Sequence, residues 1–253
     1  MKKTLLISLI LAALFSSCKK ENATNPNPTY TSAAQAIGNG KVTSFIKFNG
    51  DKPSSLGIII TKTGLEGLPH DKPVEISLAL PNEAKGKTPF THVYIDFSHS
   101  GHEPVGVYTL PHFDIHFMLQ DEADRKNIMP YGPETAAKFE KEPEAGIIPA
   151  PYFRLPAGLP FMGAHWLNPA TSPEIAPGGP KFTETLIMGS YDGKWTFIEP
   201  MVTLEFLQSH PIVSKDIPQG SKVQVPGYYP KKYSIQHAEN GDCTISLGEL
   251  VLR

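Results

Sequence analysis

Pro111-His112-Phe113-Asp114-Ile115-His116-Phe117-Met118-Leu119 is the stretch from which the rest of the chain is read. Side chains of an extended strand project alternately to opposite faces. The odd positions Phe113, Ile115, Phe117 and Leu119 form one wholly apolar face, and His112, Asp114, His116 and Met118 form the other. Upstream, Thr91-His92-Val93-Tyr94-Ile95-Asp96-Phe97 repeats the arrangement, with Val93, Ile95 and Phe97 set against His92, Tyr94 and Asp96. Consecutive strands usually pair. Paired, these two give a single sheet face three histidines and two aspartates, backed by a continuous apolar face.

Outward from this pair the same period recurs. Segments 41–48, 56–63, 74–80, 182–191, 194–207, 223–225, 232–236 and 244–252 read as strands. Asp192-Gly193, between two alternating runs, is the signature of a type I′ hairpin turn. Residues 121–144 are charged and poor in β-branched side chains, and 133–140 read as one short helix with proline at its start. The 21 glycines and 25 prolines are too much punctuation for a helical bundle, and no crossover helices separate the strands as a parallel α/β fold requires. The expectation is an all-β chain, an antiparallel sandwich or barrel-like domain over 41–253 with one short helix and a possible sub-domain break near 121–150.

With 23 Lys+Arg against 25 Asp+Glu, the chain lacks the cationic surplus that nucleic acid binding needs. Its first residues read as targeting. Met1-Lys2-Lys3, the apolar run 5–15 and Ser16-Ser17-Cys18 make a signal peptide over 1–17, and the last three resemble a bacterial lipobox. That predicts a lipid on Cys18, a polar tether over 18–40, and a cell-envelope protein held on the outer membrane, since no Asp follows the cysteine. Cys243, in an alternating segment, is expected to be a small buried side chain.

Neighbouring side chains on one face of a strand stand about 7 Å apart, so His112 and His116 flank Asp114 within reach of a common ion. His165, beside Trp166, adds a third imidazole. A regular two-residue loop pairs Tyr191 with Lys194 and, carried onward, puts Glu184, Leu186 and Met188 on one face with Phe197, Glu199 and Met201. The candidate metal ligands are therefore His112, Asp114, His116, His165 and Glu199, with His92, Asp96, His102 and Glu184 in support, and zinc or another divalent metal as the ion. A half-wet antiparallel sheet whose polar face is merely solvated gives the same alternation. No nucleophile elbow, phosphate loop, His-Glu-X-X-His helix or dinucleotide fingerprint is present.

The run His99-Ser100-Gly101-His102-Glu103-Pro104-Val105-Gly106-Val107-Tyr108-Thr109-Leu110 leading into Pro111 to Phe117 resembles the signature of the TTHB210-like family, a domain of unknown function. Met162-Gly163-Ala164-His165-Trp166, Gly189-Ser190-Tyr191-Asp192-Gly193 and Glu199-Pro200-Met201-Val202-Thr203 extend the likeness, which spans roughly 41–207. Ser98-His99-Ser100 stands where that family more often has Asn-Pro ahead of Gly-His. The resemblance implies a β-rich, envelope-associated homo-oligomer and brings no reaction with it. Three functions stay open: an anchored binding or assembly module with a His/Asp pocket; a metal-dependent hydrolase or lyase using the His cluster with Glu199; and a carbohydrate- or peptide-binding lipoprotein using Trp166, Trp195 and the tyrosines as platforms.

Overall fold

The two His-bearing segments are adjacent strands, and their pairing decides what the remaining elements must cover. The structure, a computed structural model, describes residues 26–253. Its strands are β1 (Thr29–Thr31), β2 (Gln35–Ile37), β3 (Gly40–Asn49), β4 (Lys52–Ile60), β5 (Val74–Ala79), β6 (His92–Ser98), β7 (His112–Met118) and β8 (Phe153–Arg154). They continue with β9 (Ala164–Leu167), β10 (Glu184–Tyr191), β11 (Lys194–Thr203), β12 (Val213–Asp216), β13 (Tyr228–Tyr229), β14 (Lys232–His237), β15 (Cys243–Gly248) and β16 (Val251–Leu252). One sheet has the order β1-β3-β4-β15-β14-β12 with β2 also on β3; the other runs β5-β6-β7-β11-β10-β9-β8; β13 pairs with β16. Neither large sheet closes into a barrel.

The odd face of β6 and β7 explains the stacking. Val93, Ile95, Phe113, Ile115 and Phe117 share one buried cluster with Val42, Ile46, Leu56, Ile58 and Ile245 of the first sheet. Burying each such side chain is worth about 1.5–3 kcal/mol, enough to hold two antiparallel sheets face to face. Cys243 is buried in the same core. Every residue of β7 is buried, the even positions included. The outer face of the second sheet is therefore covered as well, by the loops following β6 and β8.

Several elements differ from the sequence expectation. Short helices α1 (Glu122–Lys126) and α3 (Leu204–Gln208) join the expected one, α2 (Ala136–Glu140). The run 194–207 stops as strand at Thr203, whose side chain accepts a hydrogen bond from the Phe206 N–H and starts α3. Residues 223–225 lie outside any strand, and β12 and β13 take up pairing on either side of them. The end of the expected tether is ordered: β1 and β2 pair along β3. Cys18 and the signal segment lie outside the described residues. The charged segment packs on the β10–β11 hairpin, where the N–H groups of Asp192 and Gly193 donate to the carbonyls of Lys138 and Lys141.

That hairpin carries the main correction. Asp192 and Gly193 both have positive φ, 48° and 77°, as a type I′ turn demands, and Tyr191 pairs with Lys194. Beyond Ser190↔Trp195 the register shifts, and Gly189 pairs with Phe197, leaving Thr196 as the extra residue of a β-bulge. One residue of slip exchanges the faces. Glu199 now pairs with Ile187, and Glu184 lies on the other face from Glu199, where it forms an ion pair with Lys215 of the opposite sheet.

Replacing Ile115 by Ala leaves a cavity where the two sheets meet. The unfolding free energy should fall by roughly 2–5 kcal/mol, while Lys194→Ala at the exposed hairpin tip should change it by about 0.5 kcal/mol or less; urea denaturation of both variants checks this.

Candidate metal centre

β6 and β7 pair with Ser98 opposite His112, Asp96 opposite Asp114 and Tyr94 opposite His116, so the even positions of both strands share the outer face as expected. On the other flank β11 pairs with β7 through Ile198↔Phe117 and Met201↔Asp114, which sets Glu199 across from His116. β9 enters from beyond β10 with His165 opposite Gly189. The loop after β6 folds back over the sheet and delivers His102. The five expected ligands thus do not form one set. They divide into His102, His112 and Asp114, and His116, His165 and Glu199, with the ligand atoms of each triad within 4.8 Å of one another.

In the first triad His112 Nε2 lies 3.1 Å from Asp114 Oδ1, and His102 Nε2 lies 3.4 Å from Asp114 Oδ2. Both imidazoles are oriented from behind: Nδ1 of His112 donates to the Leu110 carbonyl at 2.7 Å, and Nδ1 of His102 to the Glu103 carbonyl at 2.6 Å. A carbonyl only accepts, so in each neutral ring the proton sits on Nδ1 and Nε2 presents a lone pair. This is the tautomer that a metal-ligating histidine adopts. In the second triad His116 Nε2 and His165 Nε2 lie 3.3 and 3.7 Å from Glu199 Oε2. The Phe197 ring holds these two imidazoles, its centroid 4.9 Å from that of His116 and 5.3 Å from that of His165.

The decisive feature is what these close atoms fail to do. His112 Nε2, Asp114 Oδ1, His116 Nε2 and Glu199 Oε2 are all buried and make no hydrogen bond. The pairs are near enough to bond and are not aligned for it, so nitrogen and oxygen converge on a point between them. Tetrahedral zinc with bonds of 2.0–2.1 Å has ligand–ligand edges of roughly 3.3–3.4 Å, the spacing seen here. Two imidazoles and one carboxylate suit zinc or another divalent transition ion and leave a fourth position open.

Without an ion the triads balance charge in opposite ways. Burial works against ionisation at Asp114, but the facing His102 and His112 overcome it and hold the carboxyl well below its usual range. Burial likewise opposes charge on His102, and Asp114 reverses that to raise its pKa. Burial dominates the second triad. It lifts Glu199 well above the carboxylate range, with Asp114 and Asp96 adding to it. It also lowers His116 to about 3, helped by His165, and His165 to about 4.

Both triads open on a cavity of about 740 Å³ beneath the covering loops, shared with Asp96 and Tyr108. Asp96, raised to about 6 by burial and by Asp114, lines the wall. His92 stands apart at the far end of β6, its Nδ1 2.9 Å from the Thr91 hydroxyl and its pKa lowered to about 4 by burial and by Arg125. Glu184 is removed from the site by the bulge. His102, expected only in support, is a full member of a triad; its place depends on a loop path that strand periodicity does not encode. The roles of Phe197 and Gly189 also went unread. A Cβ on Gly189 would lie 2.0 Å from the Phe197 ring, so only glycine leaves room for that ring beside the two histidines, edge-on to His116 and tilted to His165.

Gly189→Ala should displace Phe197 and loosen His116 and His165. Zinc affinity at the second triad is expected to drop at least tenfold while the first is unchanged, as read by competition with a chromogenic chelator.

Comparison with known proteins adds one match. No curated protein and no solved structure matches the chain. The match is to a family model, and it stops short of the 99–117 run and of segments 162–166, 189–193 and 199–203, on which the sequence resemblance rested. Over residues 50–97, taking in β4, β5 and all but the last residue of β6, the chain matches the TTHB210-like family, described as "Hypothetical protein TTHB210".

Proposed function

We propose that this chain is an envelope-anchored metal-binding module that holds two divalent transition ions, zinc foremost, on the outer face of its second sheet. The observation that carries the reading is the set of buried imidazole and carboxylate atoms, 3.1–3.3 Å apart, that converge without hydrogen bonding. Uncompensated burial of such groups is costly, and a cation at the point of convergence removes the cost. The lipid on Cys18, the outer-membrane location and homo-oligomeric assembly complete the reading. They rest on residues 1–18 and on the family resemblance, and mass spectrometry of the N-terminal peptide and light scattering test them.

A metal-dependent hydrolase or lyase is the second reading. It is favoured by one feature: each triad supplies three ligands and faces a cavity, the arrangement that leaves room for a water or substrate on the ion. In it His116, His165 and Glu199 hold one ion, and His102, His112 and Asp114 hold the other.

Elemental analysis should find close to two zinc ions per chain after loading. His116→Ala and Glu199→Gln should each lose one of them, and His112→Ala and Asp114→Asn the other. Zinc content unchanged in all four variants would falsify the assignment.

Metal uptake should also be linked to protons. Burial raises the Glu199 carboxyl and lowers His116 and His165, and Asp114 raises His102, so Glu199 and His102 are the groups biased toward holding a proton. A metal ion competes with protons for these ligand atoms, so affinity falls as the pH is lowered. Calorimetric titration in buffers of different ionisation enthalpy measures the release, and a pH-independent zinc affinity between 5 and 8 contradicts it.

A further inference from the structure

Resting on the metal reading, the walls of the cavity specify what the open coordination positions receive. The cavity of about 740 Å³ falls within the range that holds a small organic ligand. Away from the triads it is lined by Leu155, Leu159, Met162, Leu167, Ile187 and Met201, and among the described residues no lysine or arginine lines it. A dication held by two neutral imidazoles and one carboxylate keeps a surplus charge of +1. With both triads filled the surplus is +2, and Asp96, on the same wall opposite Asp114, offsets one unit when ionised. The remaining charge faces apolar walls that cannot solvate it, and among the described residues no side chain there supplies a further anion except Glu103 at the exposed rim.

We infer that the cavity binds a monoanionic amphiphile, a fatty or aromatic carboxylate whose head ligates the metal and whose body lies along the apolar wall. The head answers the surplus charge and takes the open position. The body replaces water against side chains that give water no hydrogen bonds. Neither part alone accounts for the site: a small inorganic anion leaves the wall wet, and an uncharged or cationic amphiphile leaves the ion unsatisfied.

Isothermal titration of the zinc-loaded full chain tests this with four probes: octanoate, acetate, octanol and octylamine. Octanoate should bind stoichiometrically and at least ~100-fold more tightly than acetate, since each buried methylene adds about 0.8 kcal/mol. Octylamine should not bind, octanol should bind at least tenfold more weakly than octanoate, and chelation of the zinc should weaken octanoate at least tenfold. Met162→Glu puts a like charge on the wall outside both triads. It should keep its zinc and lose at least tenfold in octanoate affinity. The inference is overturned if octanol or octylamine matches octanoate, if acetate matches it, if chelation or Met162→Glu leaves octanoate binding unchanged, or if zinc-loaded chain ignores octanoate. A chain that takes up no zinc overturns the metal reading itself, and the inference falls with it.

Discussion

β7 is covered on both faces, and that double burial sets the terms for everything built around it. Its odd side chains Phe113, Ile115 and Phe117 close the apolar core between the sheets. Alternation then forces His112, Asp114 and His116 together onto the other face. Had that face been wet, the three would be ordinary solvated groups. Because loops cover it, each meets polar partners inside, and the flanking strands and the loop after β6 bring His102, His165 and Glu199. The packing constraint on one side of a seven-residue strand thus generates the chemistry on the other.

The two triads reach neutrality by different routes. At Asp114 the carboxylate keeps its charge and an imidazole is drawn into ionisation beside it. At Glu199 burial biases the carboxyl toward its neutral form and lowers the pKa of both imidazoles. The first arrangement is also better braced, because backbone carbonyls orient both of its rings. The second depends on the Phe197 ring, hence on the bare backbone of Gly189. An ion entering the first site meets a carboxylate already faced by two imidazoles; one entering the second meets a carboxyl that burial biases toward its protonated form.

Much of this was legible in the sequence because it follows from local period. The strands at 92–98 and 112–118, their mutual pairing and the shared His/Asp face all come from alternation, which needs no knowledge of distant contacts. The hairpin turn was legible for the same reason, since Asp192-Gly193 acts over four residues. What lay beyond reach was non-local. Nothing in the letters 194–203 announces that Thr196 is squeezed out of the ladder, so the regular register placed Glu184 on the wrong face. Nothing in the loop announces that His102 folds back over Asp114. The polar composition of 26–40 reads as tether, yet main-chain hydrogen bonding along β3 recruits two short pieces of it as edge strands.

The bulge at Thr196 acts as a parity device. Below it, toward the turn, odd-numbered residues such as Trp195 point into the core; above it, Phe197, Glu199 and Met201 point to the outer face, where Glu199 and Met201 line the cavity. Any change in the length of this hairpin therefore has an arithmetic character: two residues gained or lost preserve the orientation of Glu199, whereas one inverts it, burying a carboxylate between the sheets and turning Ile198 toward the imidazoles. Natural variation along β11 should accordingly come in even steps, or in single steps that create or erase a second bulge.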